Sequence, residues 1–277
     1  MIRAGVMGWP VEHSRSPLLH GFWLRQHKID GAYELLPVRP ETLEAALRGL
    51  AAQGFAGCNL TVPHKQAALA IIDEVDASAA RIGAVNTVIV RRDGALEGRN
   101  TDAFGFRENL RAAEPAWRAS AGPAVVLGAG GAARAVVAAL LDDGAPEIRL
   151  INRSRHHAAA LAAALGGPIA VIEWSGRAAA LGNAALLVNT RSLGMTGQPP
   201  LDIALDALPQ TALVNDIVYA PLETPLLAAA RRRGNPVVDG LGMLLHQARP
   251  AFAAWFGVMP EVTPALRQAV AASLVAR

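Results

Sequence analysis

Residues 124–134, Ala-Val-Val-Leu-Gly-Ala-Gly-Gly-Ala-Ala-Arg, decide the fold of this chain. Four apolar residues read as a short strand. Gly128, Gly130 and Ala133 then fit the spacing G-x-G-x-x-A at the entry to an alanine-rich helix, 132–141. Each position has a physical reason. Gly128 permits a tight turn, Gly130 lets backbone approach a pyrophosphate, and Ala133 is small enough for close helix–strand packing. The first helical turn offers free N–H groups and a positive dipole end to an anion, which adds Ala129, Gly131 and Ala132 to the candidate cofactor contacts. The spacing alone is weak evidence. Its context supplies the rest: a strand before, a helix after, and a second strand at 148–151. Where that second strand ends, a site for an unphosphorylated ribose carries Asp or Glu. This chain has Asn152-Arg153-Ser154-Arg155, with no acid and two guanidinium groups. That suits a ribose 2′-phosphate, so the expected cofactor is NADP rather than NAD. The competing readings are a Rossmann unit that binds another nucleotide or none, and arginines that only cap a strand.

Working outward, 156–165 reads as a helix, and 185–189, 211–217 and 236–238 repeat the strand pattern. Residues 242–256 and 264–275 are helical. Upstream, 3–8 is a short apolar run, and a loop leads to Pro17. Residues 18–27 have helical spacing and 32–37 reads as a strand. A helix over 40–53 ends at Gly54, and strands follow at 57–62 and 85–91. Asp93-Gly94 then signals a hairpin. Strands alternating with helices predict an α/β protein whose sheets are largely parallel and covered by helices. A composition seam lies at 116–123.

The chain has 277 residues, enough for one large domain or two modest ones. Apolar residues make up 52% and charged residues 18%, which excludes intrinsic disorder. Much of the apolar fraction is alanine, and no stretch of about 18 residues lacks a charge, so a membrane span is not expected. Lys and Arg number 26 against 23 Asp and Glu, a net charge of +3. The basic clusters Arg91-Arg92 and Arg231-Arg232-Arg233 are short and carry no interleaved aromatics, which argues against nucleic acid. The lone Cys58 excludes a disulfide framework and a cysteine-rich metal site. No signal peptide is legible at the N-terminus. The expected protein is soluble and cytoplasmic, and binds no metal.

The N-terminal half carries polar groups at loop positions: His13-Ser14-Arg15-Ser16-Pro17, Asn59-Leu60-Thr61-Val62-Pro63-His64-Lys65, Ala84-Val85-Asn86-Thr87 and Asn100-Thr101-Asp102. Strand alternation points Asn59 and Thr61 to one face. Singly, each reads as a turn or cap. Together with G-A-G-G-A-x-R, N-R-S and D-G-L-G-M-L-x-x-Q they stand in the order found in shikimate dehydrogenases. From Gly8 to Gln247 the chain resembles that family.

The resemblance implies two α/β domains with the active site in the cleft between them. Residues 1–102, completed by C-terminal helices in 240–277, form the substrate domain, and 103–239 form the NADP-binding Rossmann domain. It implies reversible NADP-dependent reduction of 3-dehydroshikimate to shikimate, on the route to chorismate and aromatic amino acids. Carried over position by position, the substrate ligands are Ser14, Ser16, Asn59, Thr61, Asn86, Tyr219 and Gln247, with Lys65 and Asp102 as the catalytic pair that also touches substrate. Hydroxyl and amide groups suit a ring bearing three hydroxyls and a carboxylate. Lys65 either cycles as acid and base or stays charged and stabilises the oxyanion. The cofactor set is Gly128–Ala132 with Asn152, Arg153, Ser154, Ile217, Gly240 and Met243. The implied partner is a small-molecule substrate, and the protein is a monomer or homodimer.

Two departures stand out. Where the family often has a basic residue three positions beyond N-R-T, this chain has Ser154 and then His157. A histidine is only partly charged at neutral pH, so phosphate recognition is expected to rest on Arg153. Residues 189–195 read Asn-Thr-Arg-Ser-Leu-Gly-Met, where the family more commonly has Ala-Thr at the second and third positions. Arg191 is read as a solvated side chain, with a part in phosphate binding as the alternative. The rival readings are a quinate or dual quinate/shikimate dehydrogenase, and a non-catalytic nucleotide sensor. Ser16, Asn152-Arg153, Lys65 and Asp102 argue against them.

Overall fold

The computed structural model describes residues 1–275. The chain divides into two compact units, Met1–Asp102 with Gln247–Val270, and Ala103–His246 with the chain from Ala271 on. The second division falls inside a helix, after His246, where the sequence-based boundary stood at 240.

The first unit is built from β1 (Ile2–Gly8), α1 (Ser16–Gln26), β2 (Gly31–Pro37), α2 (Leu43–Arg48), β3 (Phe55–Leu60), β4 (Glu74–Val75), α3 (Ala77–Ile82), β5 (Thr87–Val90) and β6 (Leu96–Arg99). Its sheet runs β2-β1-β3-β5-β6-β4. β1 pairs in parallel with β2 and β3, whereas β5 lies antiparallel to both β3 and β6. The Asp93-Gly94 turn joins β5 to β6, with the Asp93 carboxylate accepting from the Ala95 N–H at 3.1 Å. The expected helix over 40–53 is instead a 3₁₀ turn at Pro40–Thr42 followed by the short α2. Gly49 follows at once, and glycine has a high conformational cost in a helix. α3, β4 and β6 are too short to show a period. α3 is set by its caps: the Asp76 carboxylate accepts from the Ala79 N–H at 2.6 Å, and Gly83 is left-handed.

One face of this sheet buries Leu43, Leu47, Leu50, Phe55 and Cys58, and burial pushes the Cys58 thiol up. An aromatic group forms around Trp23, Tyr33, Phe252 and Trp255. Phe252 and Trp255 come from the late part of α8 (Leu241–Phe256), which explains why Gln247 onward belongs with the N-terminal unit. Trp255 donates to the Val88 carbonyl at 3.0 Å, and Trp23 to that of Glu261 at 3.0 Å.

His20 is fully buried in this group. Its ring stacks on Tyr33 at 3.9 Å, and neither ring nitrogen has a hydrogen-bond partner. Burial lowers its pKa to about 3. In the unfolded chain a histidine titrates near ~6.5, so acid adds a proton to the unfolded state that the folded state refuses. The stability this neutral ring contributes is present above about pH 6.5 and is lost as pH falls toward 3. Between about pH 6.5 and 4.5 the loss is roughly 2–3 kcal/mol. His20→Phe should flatten this acid limb. Urea-unfolding midpoints of the two proteins across that range check it, and parallel slopes would refute it.

The second unit continues from α4 (Asp102–Ala113), whose first residue is the last of the first unit. Then come β7 (Ala124–Leu127), α5 (Gly131–Asp142), β8 (Ile148–Ile151), α6 (Arg155–Leu165), β9 (Ile169–Ile172), β10 (Leu186–Asn189), β11 (Leu213–Asp216), α7 (Pro225–Arg232) and β12 (Val237–Val238). The sheet order is β12-β11-β10-β7-β8-β9, with every pair parallel. β7, β10 and β11 are buried along their whole length, as strands covered on both faces must be. The chain starts in mid-sheet, winds one way to β9, and returns to wind the other way from β10. That makes β7 and β10 the switch point, where a crevice forms at the carboxyl ends of the strands. The basic run 231–233 is explained locally. Arg231 and Arg232 lie in the last turn of α7, where cations favour the dipole, and Arg233 donates to the Leu208 carbonyl at 2.9 Å. The α9 helix (Pro264–Val275) ends the described chain.

Candidate active site and nucleotide loop

In the first unit, three strands converge at one edge. Asn59 on β3 pairs in register with Thr87 on β5, and Thr87 with Arg99 on β6. Asn86, just before β5, therefore faces both the end of β3 and the residues after β6. Its backbone N–H donates to the Arg99 carbonyl at 3.0 Å, while its own carbonyl accepts from Leu60 at 2.8 Å. Lys65 is fixed nearby, its carbonyl accepting from the Val85 N–H at 2.7 Å.

The side chains complete a network. Lys65 Nζ donates to Asp102 Oδ2 at 2.5 Å. Asn86 Nδ2 donates to Asp102 Oδ1 at 2.8 Å and to Thr101 Oγ1 at 3.0 Å, and Asn86 Oδ1 accepts from the Thr101 N–H at 2.8 Å. Gln247 Oε1 lies 3.4 Å from Asn86 Nδ2 and 3.5 Å from Thr101 Oγ1. The Asp102 side chain is 6% exposed and that of Lys65 19%. The carboxylate is thus sealed, with both oxygens engaged, while the Lys65 side chain stays partly exposed. A lysine has three donors, so this one keeps others for an incoming oxygen.

Sequence reasoning missed the support beneath this network. Tyr33 donates to Asn59 Oδ1 at 2.6 Å and shares a hydrogen bond with Ser16. Burial pushes the phenol well up, which keeps it a neutral donor. Asn59 Nδ2 in turn donates to the Asn86 carbonyl at 3.0 Å and to Thr87 Oγ1 at 3.1 Å. Ser16, Tyr33, Asn59, Asn86 and Asp102 form one connected chain. Ser14 sits beside it, its Oγ accepting from the Ser16 N–H at 3.3 Å, and half-buried Thr61 follows β3. Thr101 and Asn100 stood inside a quoted motif, but Tyr33, on an edge strand, carried no signal. Tyr219 belongs to the second unit, in the loop after β11.

In that second unit the glycine loop has the geometry its spacing predicts. Gly128 has φ +122°, and a Cβ there would lie 2.3 Å from Thr190 Oγ1. Gly130 precedes α5 as its capping residue and offers no side-chain cap, and a Cβ on it would meet nothing within 4 Å. Free helix N–H groups facing open space form a cradle that fits a pyrophosphate. At the end of β8, Asn152 Nδ2 donates to the Ser154 carbonyl at 3.0 Å. Arg155 pairs with Glu173 at 2.7 Å, whereas Arg153 is exposed with no acidic partner among the described residues. This donor set fits a phosphorylated ribose. Gly240 packs against Ile217, whose carbonyl oxygen would lie 2.2 Å from a Cβ on Gly240. Met243 is buried two positions into α8.

His157 is exposed on α6, its ring 5.9 Å from that of His156. Arg191 corrects the expectation of a solvated side chain. It is half-buried, donates to Asn152 Oδ1 at 3.1 Å, and lies 4.9 Å over the Trp174 ring. Its loop follows β10, which neighbours β7, and that adjacency was not legible from residues 189–195 alone. Deeper in the unit, burial raises the Asp216 carboxyl to about 6, against hydrogen bonds from Thr224, Val218 and Asn189. Among the described residues no helix is long and apolar enough to cross a membrane, and no group of three or more His, Cys, Asp or Glu is placed to hold a metal.

Three family models match the chain. One for the substrate-binding domain of shikimate dehydrogenase covers residues 6–88, one for shikimate/quinate 5-dehydrogenase covers 112–192, and one for the shikimate 5′-dehydrogenase C-terminal domain covers 240–271. The chain is 65% identical over 264 residues to a shikimate dehydrogenase (NADP(+)) of Paramagnetospirillum magneticum, covering 95% of this chain and 96% of that one. Its fold matches the shikimate 5-dehydrogenase of Thermus thermophilus in complex with NADP(H) and shikimate. The TM-score is 0.87 at 39% identity, over 99% of this chain and 100% of that one. It also matches a quinate dehydrogenase of Corynebacterium glutamicum in complex with NAD, with a TM-score of 0.89 at 30% identity over 97% and 98% of the two chains.

Proposed function

The chain belongs to the shikimate dehydrogenase family, and on that premise we propose that it reversibly reduces 3-dehydroshikimate to shikimate with NADP. The observation that carries this reading is the sealed Asp102 carboxylate bonded at 2.5 Å to the ammonium of a partly exposed Lys65. A ketone reductase needs a donor that meets negative charge as it develops on the carbonyl oxygen.

The nicotinamide of the cofactor supplies or accepts the hydride when bound. Lys65 Nζ binds the reacting oxygen and stabilises its charge or passes it a proton. Asp102 holds that ammonium in position, and its second oxygen is held by Asn86. Asn86, Thr61, Gln247 and Asn59 are the candidate partners of the ring hydroxyls, and Tyr219 is assigned to substrate by the family pattern. Ser14 and Ser16, at the start of α1, suit the substrate carboxylate. Gly128 to Ala132 would hold the pyrophosphate, with Ile217, Gly240 and Met243 toward the nicotinamide half. Asn152, Arg153 and Ser154 would hold the adenosine ribose and its 2′-phosphate. The first unit is thus the substrate domain and the second the NADP domain, acting as a monomer or homodimer.

The test is oxidation of shikimate or quinate with NADP or NAD, followed by absorbance of the reduced cofactor. Shikimate with NADP should exceed each other combination by roughly a hundredfold in kcat/KM. Turnover confined to quinate and NAD would replace this reading with that of the Corynebacterium relative.

A further inference from the structure

β10, β7 and β8 lie side by side, with Asn189 in register with Leu127 and Leu127 with Ile151. Thr190, Gly128 and Asn152 therefore leave the sheet at one edge. The Arg191 side chain runs back across that edge. Its Cγ lies 3.3 Å from where a Gly128 Cβ would stand, and its Nη1 reaches Asn152 Oδ1 at 3.1 Å. The indole of Trp174 lies beneath the guanidinium at 4.9 Å. Arg191 is thus held beside the glycine turn and bonded to Asn152, the residue before Arg153, and its buried Nε has no hydrogen-bond partner.

Glu173, which precedes Trp174 in the chain, pairs with Arg155, and Asp202 pairs with Arg177. Burial and then the neighbouring Arg153 hold the Arg191 guanidinium below its usual range. Two like charges at a half-buried edge repel, and an anion between them reverses the sign of that energy. A phosphate monoester matches both the charge and the planar fork of a guanidinium. His157, exposed on α6, does not show these features.

We propose that Arg191 is a specificity-determining residue for the cofactor, forming with Arg153 a two-guanidinium clamp for the ribose 2′-phosphate. The inference rests on the NADP reading above. It moves the second cation of the subsite from the helix after β8 to the loop after β10.

Calorimetric titration of the full chain with adenosine 2′,5′-bisphosphate and with 5′-AMP tests it without turnover. The wild-type protein should prefer the bisphosphate. Arg191→Gln should weaken bisphosphate binding roughly tenfold to a hundredfold, and leave 5′-AMP within about twofold. Arg191→Lys should recover part of the loss, because it keeps the charge without the fork. Equal weakening toward both nucleotides would make Arg191 a scaffold for the glycine turn and overturn the proposal. So would unchanged binding of both. If Arg153→Gln erases the preference while Arg191→Gln does not, the NADP reading stands and the role of Arg191 falls. If the wild type binds both nucleotides equally, both fall.

Discussion

Lys65→Ala should lower kcat for shikimate oxidation by roughly a thousandfold, while KM changes by less than about fivefold. The ammonium is the one group in the network that combines charge with access. Asp102 is sealed, and the Asn86 side chain is engaged with Thr101 and with that carboxylate. Removing Lys65 takes away the donor to the reacting oxygen and leaves Asp102 with no cation. The two residues act as a unit, so Lys65→Ala with Asp102→Asn should cost about as much as the worse single change, not their product. A kcat within tenfold of wild type would remove Lys65 from the chemistry. Lys65→Arg separates the two open roles. A guanidinium keeps the positive charge but cannot be deprotonated in a protein. Retained activity with a flat pH profile would assign charge stabilisation. Loss comparable to that of the alanine variant would assign proton transfer.

The legibility of this protein in its sequence follows the range of the forces involved. The second unit was readable because its signals are local. Residues 124–127 form an apolar strand buried on both faces, and Gly128 answers a turn that only glycine tolerates. The short elements were not readable, because α3 is fixed by two caps and β9 by its register with β8 rather than by any period of their own. The candidate site was partly legible. Motif order brought forward Lys65, Asn86, Asp102 and Gln247, which the fold joins in one network. Tyr33 was invisible, since its bond to Asn59 depends on β2 lying beside β1 and β1 beside β3. The surroundings of Arg191 were not legible for the same reason. Its environment is made by Asn152 and Trp174, which sequence separates and parallel pairing brings together.

Gly128→Ala should destabilise the protein by roughly 3 kcal/mol or more, and weaken NADPH binding by roughly a hundredfold or more. Two causes add. At φ +122° an L side chain is strained whatever space surrounds it, and the new Cβ would lie 2.3 Å from Thr190 Oγ1. That hydroxyl is not free to swing away, because it donates to the Leu127 carbonyl at 2.7 Å, across the β7–β10 pairing. Relief therefore means breaking this bond or parting the strand ends at the switch point, where α5 presents its N–H groups. Thr190→Ala separates the causes. Alone it should cost about 1 kcal/mol for the lost hydrogen bond. In the Gly128→Ala background it should restore part of the stability, since the overlap is removed and the backbone strain is not. Gly130→Ala is the contrasting case. Its φ is −85° and a Cβ would meet nothing within 4 Å, so unfolding should be nearly unchanged. The added methyl instead occupies the space through which a pyrophosphate approaches the helix, so NADPH affinity alone should fall. Urea unfolding and NADPH titration of the four variants check this, and a Gly130→Ala protein that binds NADPH like wild type would show that the cradle lies elsewhere.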